Sequence, residues 1–131
     1  MKTRTFRLNK LVRDGVFDSM IKLGQKPQTK RLKGQALLLG LRNKIIEEAQ
    51  EFDPKSKKAV RELADLAEMV EQLAAKMGIS YKELRAMQMK RRKEAGVFNR
   101  GVFIGELEVP KGDKWADYYA ADPKHFPEIK Q

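Results

Sequence analysis

Two amphipathic stretches joined by an Asp-Pro break constrain this chain more than any other feature. From about Gly34 to Phe52, apolar residues recur at Leu37, Leu38, Leu41, Ile45, Ile46 and Ala49. From about Lys57 to Met77 they recur at Val60, Leu63, Ala64, Ala67, Val70, Leu73, Ala74 and Met77. Both follow the three-to-four-residue recurrence of a helix face. Asp53-Pro54-Lys55-Ser56 lies between them, and proline cannot continue the first helix. Two long amphipathic helices with so short a joint predict an antiparallel pair.

Each helix of that pair carries an acidic cluster, Glu47-Glu48-Ala49-Gln50-Glu51 on the first and Glu62-Leu63-Ala64-Asp65 on the second. The midpoint between them falls at Ser56 and Lys57, within about one helical turn of the break, so the carboxylates face one another across the pair. Glu48 shares its side with Leu41, Ile45 and Phe52. Glu62 shares its side with Ala59, Leu66 and Met69, Asp65 joins through Met69, and Glu51 sits nearer the edge. Carboxylates on an apolar face must be neutralised or bind cations. Spacing alone leaves two readings: a metal site, or acids paired with Lys44, Lys57, Lys58 and Arg61.

With 131 residues, 35% of them charged and 41% hydrophobic, the chain reads as a single domain large enough for a core. Cysteine is absent, which excludes disulfides and thiolate metal sites and fits a cytoplasmic address. His125 is the only histidine, so a histidine zinc centre or a Ser-His-Asp triad is excluded as well. No long apolar run and no signal-type leader are visible, and no membrane partner is expected. The net charge of +10 favours anionic partners, nucleic acid among them. Basic density peaks at Lys90-Arg91-Arg92-Lys93, at Lys30-Arg31-Lys33, and along Lys2, Arg4, Arg7, Lys10 and Arg13.

Asp14 is a candidate cap for a first short helix that closes at Gly24, and Ser56 is a candidate cap for the third. Ser80-Tyr81-Lys82-Glu83 is a capping box that opens a fourth helix, ending near Ala95-Gly96. Beyond it, Val97-Phe98 and Val102-Phe103-Ile104 around Asn-Arg-Gly predict a short strand or hairpin. From Pro110 the chain lacks periodicity and reads as an irregular tail, with Trp115, Tyr118 and Tyr119 packing on a core or a partner. The fold class is therefore all-α, four main helices with a small C-terminal strand element.

Helical carboxylates without histidine select a hard cation, Mg²⁺ first and Mn²⁺ as the alternative. A hard cation beside lysines and arginines points to phosphate chemistry. No Walker loop is present, which argues against a P-loop enzyme.

Glu48-x-x-Glu51, a turn, and Glu62-x-x-Asp65 resemble the signature of the all-alpha nucleotide pyrophosphohydrolases, the superfamily of MazG proteins, dimeric dUTPases and phosphoribosyl-ATP pyrophosphohydrolase. Asn9-Lys10-Leu11-Val12-Arg13-Asp14 resembles the N-terminal segment of its MazG-like branch. Lys90 to Phe98 resembles the basic helix end that follows the acidic helices there. The resemblance covers about residues 8–104, leaving 105–131 as an extension.

It implies a MazG-like helical bundle and a Mg²⁺-dependent hydrolase that cuts a nucleoside triphosphate between its α- and β-phosphates. Glu48, Glu51, Glu62 and Asp65 would be metal ligands, with Glu48 or Glu51 orienting the attacking water and Glu47 supporting them from behind. Lys10 and Arg13 would contact phosphate, with Lys90, Arg91 and Lys93 as further candidates. A homodimer or tetramer is implied, because protomers of this superfamily share a helical core. Base specificity would come from side chains near Leu8, Phe17, Phe52 and Met69. Two other readings compete: phosphoribosyl-ATP hydrolysis within the same fold, and a basic nucleic-acid-binding module whose carboxylates are structural ion pairs.

Overall fold

The computed structural model describes residues 2–129 and places five helices there: α1 (Asp14–Lys22), α2 (Gln35–Glu51), α3 (Ala59–Lys76), α4 (Tyr81–Ala95) and α5 (Lys114–Ala120). The all-α reading holds, and the first four helices fall where periodicity predicts them, although Ser56 lies two residues before the N-cap of α3, which is Lys58. No helix among the described residues is long and apolar enough to cross a membrane. The chain divides into two compact units, Met1–Ala95 and Gly96–Gln131.

In the first unit α2 packs on α3, and α3 on α4. The α2–α3 joint is shaped by its own short polar side chains. Asp53 Oδ1 accepts from the Lys55 N–H at 2.9 Å, and Ser56 Oγ accepts from the Lys58 N–H at 3.0 Å. These bonds satisfy backbone donors that the break would otherwise strand. Helix α3 ends in a Schellman motif: the Ile79 N–H donates to Ala74 O at 2.8 Å and the Gly78 N–H to Ala75 O at 3.0 Å. Gly78 has φ 79°, the left-handed conformation that the motif requires. Helix α4 opens on the predicted box, with Ser80 Oγ accepting from the Glu83 N–H at 3.1 Å. Asp14 does not cap α1: Arg13 occupies that position in extended conformation, and Asp14 is already inside the first turn.

Residues before α1 and before α2 lie over α2 at Gly40. A Cβ placed there would stand 3.0 Å from Leu32 Cδ1 and 3.8 Å from Leu11 Cδ2. This approach carries the basic N-terminal segment across α2 and so toward the acidic end of that helix.

The interior is thin. Among the described residues only Met69 and Ala74, both on α3, are buried. Helix α3 has two apolar sides. Ala59, Glu62, Leu66, Met69 and Leu73 are half-buried or buried, at the i, i+3, i+7 spacing of one helix face. Val60, Leu63, Ala67, Val70 and Met77 repeat with the same spacing and are exposed.

The second unit departs from expectation in two ways. No strand forms at 97–104. A turn is present, with the Gly101 N–H donating to Phe98 O at 3.1 Å, but Val97, Phe98, Val102, Phe103 and Ile104 remain exposed. An isolated two-stranded ribbon with no apolar face to bury is at best marginal, and here the ladder is absent. The expected irregular tail instead contains α5, capped by Asp113, whose Oδ1 accepts from the Trp115 N–H at 2.9 Å. Its aromatic side chains pack on one another: ring centroids are 5.3 Å apart for Trp115 and Tyr118, and 5.0 Å for Tyr119 and Phe126.

Candidate functional site

The last turn and a half of α2 presents Glu47, Glu48 and Glu51 at i, i+1 and i+4. One carboxylate oxygen from each lies within 4.8 Å of the other two. Glu47 and Glu48 are half-buried and Glu51 is exposed, which matches its expected place near the edge. Glu62 and Asp65, from α3, are half-buried and lie outside this tight group. Glu62 has the more unusual surroundings. Its Oε2 is buried and has no hydrogen-bond partner among the described residues. Buried carboxylate oxygens are seldom left so, because the lost hydration is costly.

Three cations meet these acids. Lys10 Nζ lies 2.8 Å from Glu47 Oε1. Arg13 Nη2 donates to Asp65 Oδ1 at 3.1 Å. Lys44 Nζ, one turn back along α2, sits 3.5 Å from both Glu47 Oε1 and Glu48 Oε1. Lys44 is the most enclosed of the three, with its side chain 17% exposed against 44% for Lys10 and 53% for Arg13. Of the lysines and arginine that ion pairing would have recruited, Lys57, Lys58 and Arg61 have no acidic partner among the described residues. Glu51 and Glu62 have no basic partner among the described residues. Two negative charges of the five acids are thus uncompensated.

These charges act on the proton affinities of Lys10 and Glu47. The hydrogen bond from Lys10 holds the Glu47 carboxyl below the ordinary carboxylate value, with the charge of Lys44 helping and partial burial opposing. In return the bond to Glu47, then the charges of Glu47, Glu51 and Glu48, hold the Lys10 ammonium above its ordinary value.

Oxygen donors with a surplus negative charge, and one buried oxygen lacking a donor, fit a hard divalent cation. The α4 candidates are arranged differently. Lys90 and Arg91 pair with Glu94 of their own helix, at 3.9 Å and 3.1 Å, and Lys93 is exposed without an ion-pair partner among the described residues. The structure therefore brings Lys10 and Arg13 to the acids, and Lys90 and Arg91 to Glu94.

Sequence reasoning placed Lys44 only among competing ion-pair formers, although its i+3 and i+4 spacing to Glu47 and Glu48 was readable. Lys10 and Arg13 were expected on phosphate, and here they lie on carboxylates. Comparison with protein-family models, with curated proteins and with solved structures returns no match to this chain.

Proposed function

We propose that this chain is a Mg²⁺-dependent nucleoside triphosphate pyrophosphohydrolase of the MazG-like kind, releasing a nucleoside monophosphate and pyrophosphate. The observation that carries this reading is the uncompensated acid set, in which Glu62 directs a buried oxygen to no donor. Glu48, Glu51, Glu62 and Asp65 would hold the ion, with Mn²⁺ as a substitute, and Glu47 would steady them. When bound, the ion neutralises phosphate oxygens and makes its water more acidic. Glu48 or Glu51 would orient the attacking water and take its proton at a carboxylate oxygen. Lys10 and Arg13 are the nearest cations for the leaving phosphates, with Lys90, Arg91 and Lys93 of α4 as further candidates.

A homodimer belongs to this reading. The exposed row of Val60, Leu63, Ala67 and Val70 on α3, continued by Met77 at its C-cap, supports it. A second copy of the same row would cover it.

The test is pyrophosphate release from a panel of canonical, deoxy- and modified nucleoside triphosphates, with Mg²⁺, with EDTA, and with Glu48→Gln. Metal-dependent release lost in Glu48→Gln supports the proposal. No release from any substrate removes it, and salt-sensitive nucleic-acid binding would then point to the exposed basic face of α4.

A further inference from the structure

We infer that Lys10 and Arg13 form an exchangeable counter-ion clamp, which holds the acid set until a divalent cation and a polyphosphate arrive together. The inference rests on the metal-site reading above and concerns how that site is regulated. Lys10 and Arg13 are separated by two residues of a segment outside any helix, a span of about 10 Å. Within it, one cation reaches α2 at Glu47 and the other reaches α3 at Asp65. The segment therefore reaches both acid-bearing helices through these two ion pairs.

Both side chains are about half exposed, so either can leave without crossing a packed interior. Pairs of this exposure are individually weak and readily exchanged. Lys44 differs. It is enclosed and anchored on α2 beside the acids it meets, so it stays.

The charges then order the events. A divalent cation alone must compete with Arg13 for Asp65 and meets the positive charge of Lys10 held beside its ligands at Glu47. A polyphosphate alone meets a site with two surplus negative charges. Together, the ion takes the place of Arg13 on Asp65 and repels Lys10 from Glu47, and both cations transfer to phosphate oxygens, where charge-assisted bonds are strong. Ion and phosphate affinities are therefore coupled, and the coupling is reciprocal.

The experiment is calorimetric titration of the full chain with Mn²⁺, alone and with saturating methylenediphosphonate, a pyrophosphate analogue that cannot be hydrolysed. Wild type is compared with the double variant Lys10→Ala/Arg13→Ala. Lys58→Ala serves as a control for simple loss of a nearby positive charge, since Lys58 has no ion-pair partner among the described residues. The double variant is expected to bind Mn²⁺ alone about fivefold more tightly and to lose most of the enhancement given by diphosphonate. In wild type, the side-chain nitrogen resonances of Arg13 should move when Mg²⁺ and diphosphonate are added together.

Equal Mn²⁺ affinity in wild type and double variant overturns the clamp, as does an unchanged enhancement or the same tightening in Lys58→Ala. A separate comparison with Glu62→Gln tests the site beneath it. If wild type binds no Mn²⁺, or Glu62→Gln binds it equally well, the metal reading fails and the clamp with it.

Discussion

Arg13 Nη2 and Asp65 Oδ1 meet at 3.1 Å across 52 residues of sequence. The bond joins the segment before α1 to the inner side of α3, at the acids that a metal would need. Both side chains are partly exposed, so its contribution to stability is modest. Arg13→Ala should change unfolding free energy by no more than about 1 kcal/mol in urea titration. A much larger loss would make Arg13 a structural residue.

Neutralising the proposed ligands should remove catalysis without unfolding the chain. Glu48→Gln, Glu51→Gln, Glu62→Gln and Asp65→Asn should each lower Mg²⁺-dependent pyrophosphate release by about 100-fold or more, and Glu47→Gln by about 10-fold. Circular dichroism should show unchanged helix content. Activity retained in Glu62→Gln would mean that its buried oxygen serves packing alone.

The Lys10–Glu47 pair sets a pH window. Glu47 is held below the ordinary value of 4.5, so its contribution is present above pH 4.5 and is lost as pH falls through the lowered folded value. Lys10 is held above 10.5, so its contribution is present below that pH and is lost as pH rises through the raised value. The tether should therefore persist across the neutral range. Carboxyl ¹³C titration should place Glu47 below 4.5 in wild type, and Lys10→Ala should move it upward.

The exposed row on α3 predicts self-association. Light scattering should give a mass of about twice 15.1 kDa for the wild type. Leu63→Lys or Val70→Lys, placing a charge in that row, should shift the mass toward one chain. A wild type of single-chain mass at all concentrations would end the dimer reading.

Helix α4 depends on its first residue. Ser80→Ala removes the acceptor for the Glu83 N–H and should destabilise the first unit by about 1 kcal/mol in thermal or urea unfolding.

The helices and the sidedness of the acids were legible because they rest on short-range rules. Periodicity repeats within four residues, a cap such as Ser80 acts on the next turn, and Gly78 stops α3 by its own backbone conformation. Glu48 and Glu62 could be placed on inner faces from their i+3, i+4 and i+7 neighbours, and the structure finds both half-buried. The missing hairpin and the unforeseen α5 show where such rules stop. The Gly101 turn formed as its residues favour, but a ladder needs apolar cover that the 97–104 stretch does not receive. Helix α5 has only seven residues, too few for a periodic signal.

By itself, the sequence determined an all-α chain, a turn at Asp53-Pro54, and carboxylates on the inner sides of two helices. Only the tertiary structure decided which charges meet. Lys10 on Glu47 and Arg13 on Asp65 depend on the path of the N-terminal segment over Gly40. That path is set by packing between segments distant in sequence, which local propensity and spacing do not encode.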